Sequence, residues 1–165
     1  MKKIVFVRHG RAEDQSSEIS DFERSLTGKG KVISGFMAKA YKEKESYPGQ
    51  IITSPAFRAL ETALIFAREF DIKPEMIRLE SDLYNNDDFK ILTEILKSIS
   101  DEENITTLFG HNPAFTQMAD RMAAKGCEFM TKSSIVCISF NVKTWNLIKP
   151  DSGKIEYFLK PEKSL

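Results

Sequence analysis

The feature that most constrains this chain stands at its start. Four consecutive apolar residues, Ile4-Val5-Phe6-Val7, run without a spacer into Arg8-His9-Gly10. A β-branched and aromatic run with no polar interruption predicts a strand buried on both faces, the central kind in an α/β sheet. Ligands of open α/β sheets bind beyond the carboxyl ends of the strands. A guanidinium, an imidazole and a glycine at such a tip therefore mark a place to look for a site. An ordinary apolar strand closed by a polar turn would read the same way if it stood alone.

It does not stand alone. Gln50-Ile51-Ile52-Thr53 reads as a second strand, and Ser54-Pro55 as a helix start with Ser at the N-cap and Pro first in the helix. That helix is predicted to reach about Phe70 through Ala59, Ala63, Phe66 and Ala67, with Arg58 in its first turn. Residues 105–109 repeat the opening pattern and lead into Gly110-His111-Asn112-Pro113, where Asn112 and Pro113 again suggest an N-cap pair. Elsewhere the spacing predicts a polar loop over 11–25 and a helix over 27–44, with Thr27 as N-cap and Val32, Ile33, Phe36, Met37 and Ala40 facing inward. A weak extended segment at 76–79 and a polar loop at 82–88 precede an amphipathic helix through Phe89, Leu92, Ile95, Leu96 and Ile99. Strands at 135–140 and 155–159 flank Trp145 and an Asp151-Ser152-Gly153 turn. Strands alternating with helices predict one α/β domain over residues 1–165, three layers deep, with a mostly parallel central sheet flanked by helices.

Charge excludes some partners. The 24 lysines and arginines equal the 24 aspartates and glutamates, so no general attraction to nucleic acid or an anionic membrane is expected. An anion must be held by a local cluster. No apolar run approaches the roughly 20 residues of a membrane span, and no secretory signal is legible, which predicts a cytoplasmic setting. Cys127 and Cys137 have no metal-like spacing with the histidines and form no disulfide framework.

The chain has only two histidines, and each closes an apolar strand beside a glycine. If the strands are parallel neighbours, His9 and His111 emerge on one edge of the sheet. Arg58 would point to the same edge, unless it pairs along its helix with Glu61 or Glu69. Arg8 and Arg58 would then grip a tetrahedral oxyanion through their planar forks. Two imidazoles and two guanidiniums around such an anion suit phosphoryl transfer. An unprotonated imidazole attacks, while the arginines and a second, protonated histidine neutralise the equatorial oxygens. A metal is the less favoured use of the histidines, because the flanking arginines repel a cation. Trp145 and the phenylalanines read as core, Arg24 and Thr27 as braces of the loop and helix start, and Arg11 as a rim residue.

Arg8-His9-Gly10, the segment Ser54-Pro55-Ala56-Phe57-Arg58-Ala59-Leu60-Glu61-Thr62 and Gly110-His111-Asn112-Pro113 together resemble the histidine phosphatase (phosphoglycerate mutase-like) superfamily. The stretch from Asp21 to Gly30, Leu83-Tyr84-Asn85 and the tail from Ser133 through Trp145 to Pro161 are similar to its SixA-type phosphohistidine phosphatase branch. The resemblance implies a phosphoglycerate mutase-like fold, with His9 phosphorylated during turnover and its other ring nitrogen fixed by a backbone carbonyl. It implies a phosphate pocket of Arg8, Arg58 and His111, aided by the Asn112 amide, and no metal or organic cofactor. Asp82 is the nearest positional counterpart of the family's acid, with Asp21 as the alternative, and each is otherwise a solvated loop carboxylate. The implied substrate is protein phosphohistidine, on a phosphorelay domain, with small phosphomonoesters as a second class. The short segment between Leu79 and Phe89 leaves little material for a lid. The competing readings are a non-catalytic module docking phosphorylated partners and a small-molecule phosphomonoesterase or mutase.

Overall fold

The computed structural model describes residues 1–85 and 88–162. Its strands are β1 (Lys2–Arg8), β2 (Gln50–Thr53), β3 (Arg78–Leu79), β4 (Ile105–Gly110), β5 (Ile135–Phe140) and β6 (Lys154–Leu159). Its α-helices are α1 (Gly28–Lys42), α2 (Phe57–Glu69), α3 (Asp82–Asn85), α4 (Phe89–Lys97) and α5 (Ala114–Met122). The six strands form one sheet in the order β3-β2-β4-β1-β5-β6. The pairings β3-β2, β2-β4 and β4-β1 are parallel, and β5 alone runs against its neighbours on both sides.

The predicted central strand is central. Along β1 the side chains alternate between two cores: Ile4 and Phe6 pack with α4 and α5 residues such as Leu92, Ile95 and Phe115. Val5 and Val7 pack on the opposite face with Met37, Tyr41, Ala63 and Phe66 of α1 and α2. The strand is buried on both sides because helices cover both sides. That is the three-layer, mostly parallel arrangement expected, and Trp145 is buried in the first of the two cores.

Several local expectations need correction. Helix α1 turns Gly30, Ser34, Met37, Ala38 and Tyr41 inward, whereas Val32 and Phe36 are exposed. The reason is close approach. A Cβ on Gly30 would stand 2.1 Å from the Arg11 carbonyl oxygen, and one on Gly10 would stand 2.5 Å from Ser34 Oγ. Small residues four apart let the helix seat against the chain beyond β1, and that requirement overrides the apolar stripe. Thr27 caps α1 as expected, its side chain accepting from the Gly30 N–H.

Helix α2 begins three residues after Ser54, with Ala56 at the N-cap, so Ser54 and Pro55 lie before the helix. Pro113, not Asn112, occupies the N-cap position of α5. Asn112 instead spends its carboxamide on Met130 O and Thr116 Oγ1. The polar segment at 82–88 contains the single turn α3, and its residues 86 and 87 lie outside the described residues. Phe57 and Phe129 are exposed rather than core. Both cysteines are free thiols. Among the described residues no helix is long and apolar enough to cross a membrane.

Candidate active site

Register brings the site together. In the parallel β1-β4 pair Arg8 stands opposite Gly110, and in β2-β4 Thr53 stands opposite Phe109. The ladders continue one step further: the His9 N–H donates to Gly110 O at 3.1 Å, and the Ser54 N–H to Phe109 O at 3.0 Å. Three adjacent strands thus end level, and His9, Ser54 and His111 leave them side by side. The His9 and His111 ring centroids are 5.0 Å apart. The site lies at the carboxyl edge of the sheet, where open α/β folds bind ligands.

His9 is 7% exposed. Its Nδ1 lies 2.7 Å from the Gly10 carbonyl oxygen, an acceptor, so Nδ1 carries the proton and Nε2 keeps its lone pair. Arg58 Nε donates to that Nε2 at 3.3 Å. Thr62 braces both segments: its Oγ1 accepts from the Gly10 N–H at 3.1 Å and donates to Arg58 O at 2.7 Å. His111 Nε2 is 2.8 Å from Ser54 Oγ, while its Nδ1 is buried with no hydrogen-bond partner. Arg8 donates from Nη1 to Met130 O at 2.9 Å and packs over the Phe129 ring, its buried Nε also unpartnered. Arg58 ignores Glu61 and Glu69, which serve Lys31 and Lys42, and pairs with Asp21.

Electrostatics follow from this crowding. Burial, then the neighbouring His111 and the two arginines, pushes the His9 pKa down to about 3 against the Gly10 hydrogen bond. Burial followed by Arg58 pushes His111 down to about 3 as well. Both shifts favour the neutral imidazole at pH 7. Burial lowers the Arg8 pKa without discharging it at neutral pH. The group as a whole presents fixed cations, a neutral nucleophile and two unpartnered buried nitrogens. It suits a tetrahedral anion.

The two candidate acids separate in space. Asp21, in a short 3-10 turn at Asp21–Glu23, is drawn to the pocket: Oδ2 accepts from Arg58 Nη2 at 2.9 Å and from the Tyr84 hydroxyl at 3.0 Å. Its Oδ1 accepts from Arg24 Nη1 at 2.7 Å, and its carbonyl from Arg58 Nη1. Asp82 is exposed at the start of α3 and lines a surface depression with Arg78, Glu80 and Lys90. Residues that the sequence did not single out complete the site. Ser54 reads from the sequence only as a helix cap, and its hydroxyl instead meets His111. Thr62 and Tyr84 stand in segments that carry the resemblance but have no role there, and the Phe129-Met130 backbone has no sequence signal; only folding places them at the pocket.

This fold is shared with phosphatases of known structure. No family model matches the chain. A SixA protein of Agrobacterium tumefaciens superposes with a TM-score of 0.80 over 97% of this chain and 98% of its own, at 19% identity. The protein histidine phosphatase SixA complexed with tungstate gives 0.79 over 96% and 97%, at 18% identity. A mycobacterial glucosyl-3-phosphoglycerate phosphatase with inorganic phosphate gives 0.66 over 95% and 96%, at 12% identity. The architecture is thus the phosphoglycerate mutase-like fold, which SixA proteins share over nearly the whole length of both chains. In sequence, an uncharacterized protein of a Picosynechococcus strain is 27% identical over 122 residues, 73% of each chain.

Proposed function

We propose that this protein is a metal-independent phosphatase acting through a covalent phosphohistidine on His9, with phosphohistidine on a protein as its substrate. The observation that carries the reading is the state of His9: Nδ1 held by the Gly10 carbonyl, Nε2 unprotonated and accepting a long hydrogen bond from Arg58 Nε. In this reading Arg8, Arg58 and the His111 Nδ1–H bind the equatorial oxygens, with the Asn112 backbone amide beside them. His9 Nε2 attacks phosphorus, forming an N–P bond as the bond to the leaving group breaks. Water then attacks the phosphohistidine, and the electron pair of that N–P bond returns to Nε2. Ser54 donates its hydroxyl proton to His111 Nε2 and so keeps Nδ1 as the donor. The fold shared with SixA supports a protein substrate, and the shared fold of the glucosyl-3-phosphoglycerate phosphatase keeps small phosphate esters as the second class.

Radiolabelled phosphosubstrate mixed with the protein in chelator and quenched in alkali tests this. The expected result is an acid-labile label on His9, absent from His9→Ala. A folded protein that binds phosphate but never takes label is a docking module, and a label that requires added divalent metal would overturn the metal-free mechanism.

A further inference from the structure

Asp21 is built to stay ionised. Three donors converge on its carboxylate: Arg24 Nη1 on Oδ1, and Arg58 Nη2 with the Tyr84 hydroxyl on Oδ2. Each donor is itself anchored. Arg24 Nε reaches Glu13 O at 2.7 Å, and the Tyr84 ring packs edge-on against Phe22 and His111. Ionised, the carboxylate accepts all three bonds and keeps an acceptor position over on Oδ1, which has one donor to the two on Oδ2. Burial alone would raise the Asp21 pKa, but the bonds from Arg24, Arg58 and Tyr84 outweigh it and hold it at about 2. The Asp21 side chain is nonetheless 38% exposed. One guanidinium separates it from His9, and one phenol from His111.

A carboxylate so placed has no proton to give at neutral pH. A phosphate ester needs one: when P–O breaks, the electron pair goes to oxygen, and an alkoxide forming beside Asp21 is repelled. A phosphoramidate carries its proton already. Its nitrogen, or the second nitrogen of a phosphorylated imidazole, is protonated before cleavage, and the P–N electron pair returns to nitrogen to release a neutral amine or imidazole. We propose that Asp21 accepts a hydrogen bond from the protonated nitrogen leaving group, selecting N–P over O–P substrates, rather than acting as an acid. This rests on His9 being the nucleophile. Asp21 would also compete with bound phosphate for Arg58, so releasing it changes both selectivity and anion affinity.

The test compares wild type with Asp21→Asn on three probes: phosphoramidate, 4-nitrophenyl phosphate and glycerol 2-phosphate. The ratio of kcat/KM for phosphoramidate to that for 4-nitrophenyl phosphate is expected to fall by roughly tenfold or more in the variant, the effect of losing one charged hydrogen bond. Inorganic phosphate is expected to inhibit the variant more tightly. An equal loss on all three probes would make Asp21 a brace for Arg58, and a loss confined to glycerol phosphate would make it an acid; either outcome overturns the proposal. Alkali-trapped label on His9 in both proteins separates these results from a failure of the nucleophile itself. Its absence from wild type would sink the mechanism underneath.

Discussion

At the scale of single residues, burial and nearby charge favour the neutral form of both histidines. Each has an ordinary pKa of 6.5 and is pushed to about 3 when folded, by burial first and then by nearby positive charge. Between those values the unfolded chain binds more protons than the folded one. Stability therefore rises with pH through that window and falls on acidification. Asp21 adds its loss only lower, between 3.8 and about 2. The melting temperature is expected to drop between about pH 7 and about pH 4.5, and His9→Gln with His111→Gln to flatten that slope. An unflattened slope would assign the acid sensitivity elsewhere. The four residues at the centre were legible because their types are chemically restrictive: a chain with two histidines, both after apolar strands, offers few other readings. The neutral state of His111 was not legible, since it depends on burial and on Arg58 arriving from another segment.

Elements act by bringing those residues level. Helix α2 presents Arg58 and Thr62 one turn apart, and Thr62 ties the chain after β1 to that helix. Thr62 is fully buried, so Thr62→Val keeps the shape and leaves the Gly10 N–H with no acceptor. The expected cost is about 1–3 kcal/mol in urea unfolding, with a lower kcat because His9 loses its neighbour's tether. Unchanged values of both would remove the tether from the account. The strands β1, β2 and β4 were readable from their apolar runs, and so was α4 from its periodicity. The inward face of α1 was not. Its small residues answer to the backbone of residues 10 and 11, and a pattern of hydrophobicity is blind to what a helix must approach.

Across the whole molecule, function and stability lie at opposite edges of one sheet. Lys2 opens β1, six residues before Arg8, and is 1% exposed. Its Nζ donates to the carbonyls of Asp101 and Glu103 and lies 5.2 Å from the Trp145 ring centroid. Lys2→Met is expected to lower unfolding stability by about 1.5–3 kcal/mol, by removing the charged hydrogen bonds to the Asp101 and Glu103 carbonyls, while rates in the proposed phosphatase assay at room temperature stay near wild type. A lost rate in the folded variant would mean that the two edges are coupled. By itself the sequence determined the alternation of strands and helices, the central strand and the four side chains that gather at the sheet edge, because hydrophobic period and residue chemistry are local properties. Only the tertiary structure decided which carboxylate reaches the pocket, which hydroxyls orient the imidazoles and which ring covers Arg8. Those choices depend on strand register and on loops from distant parts of the chain meeting at one edge, and no local window of sequence contains both partners.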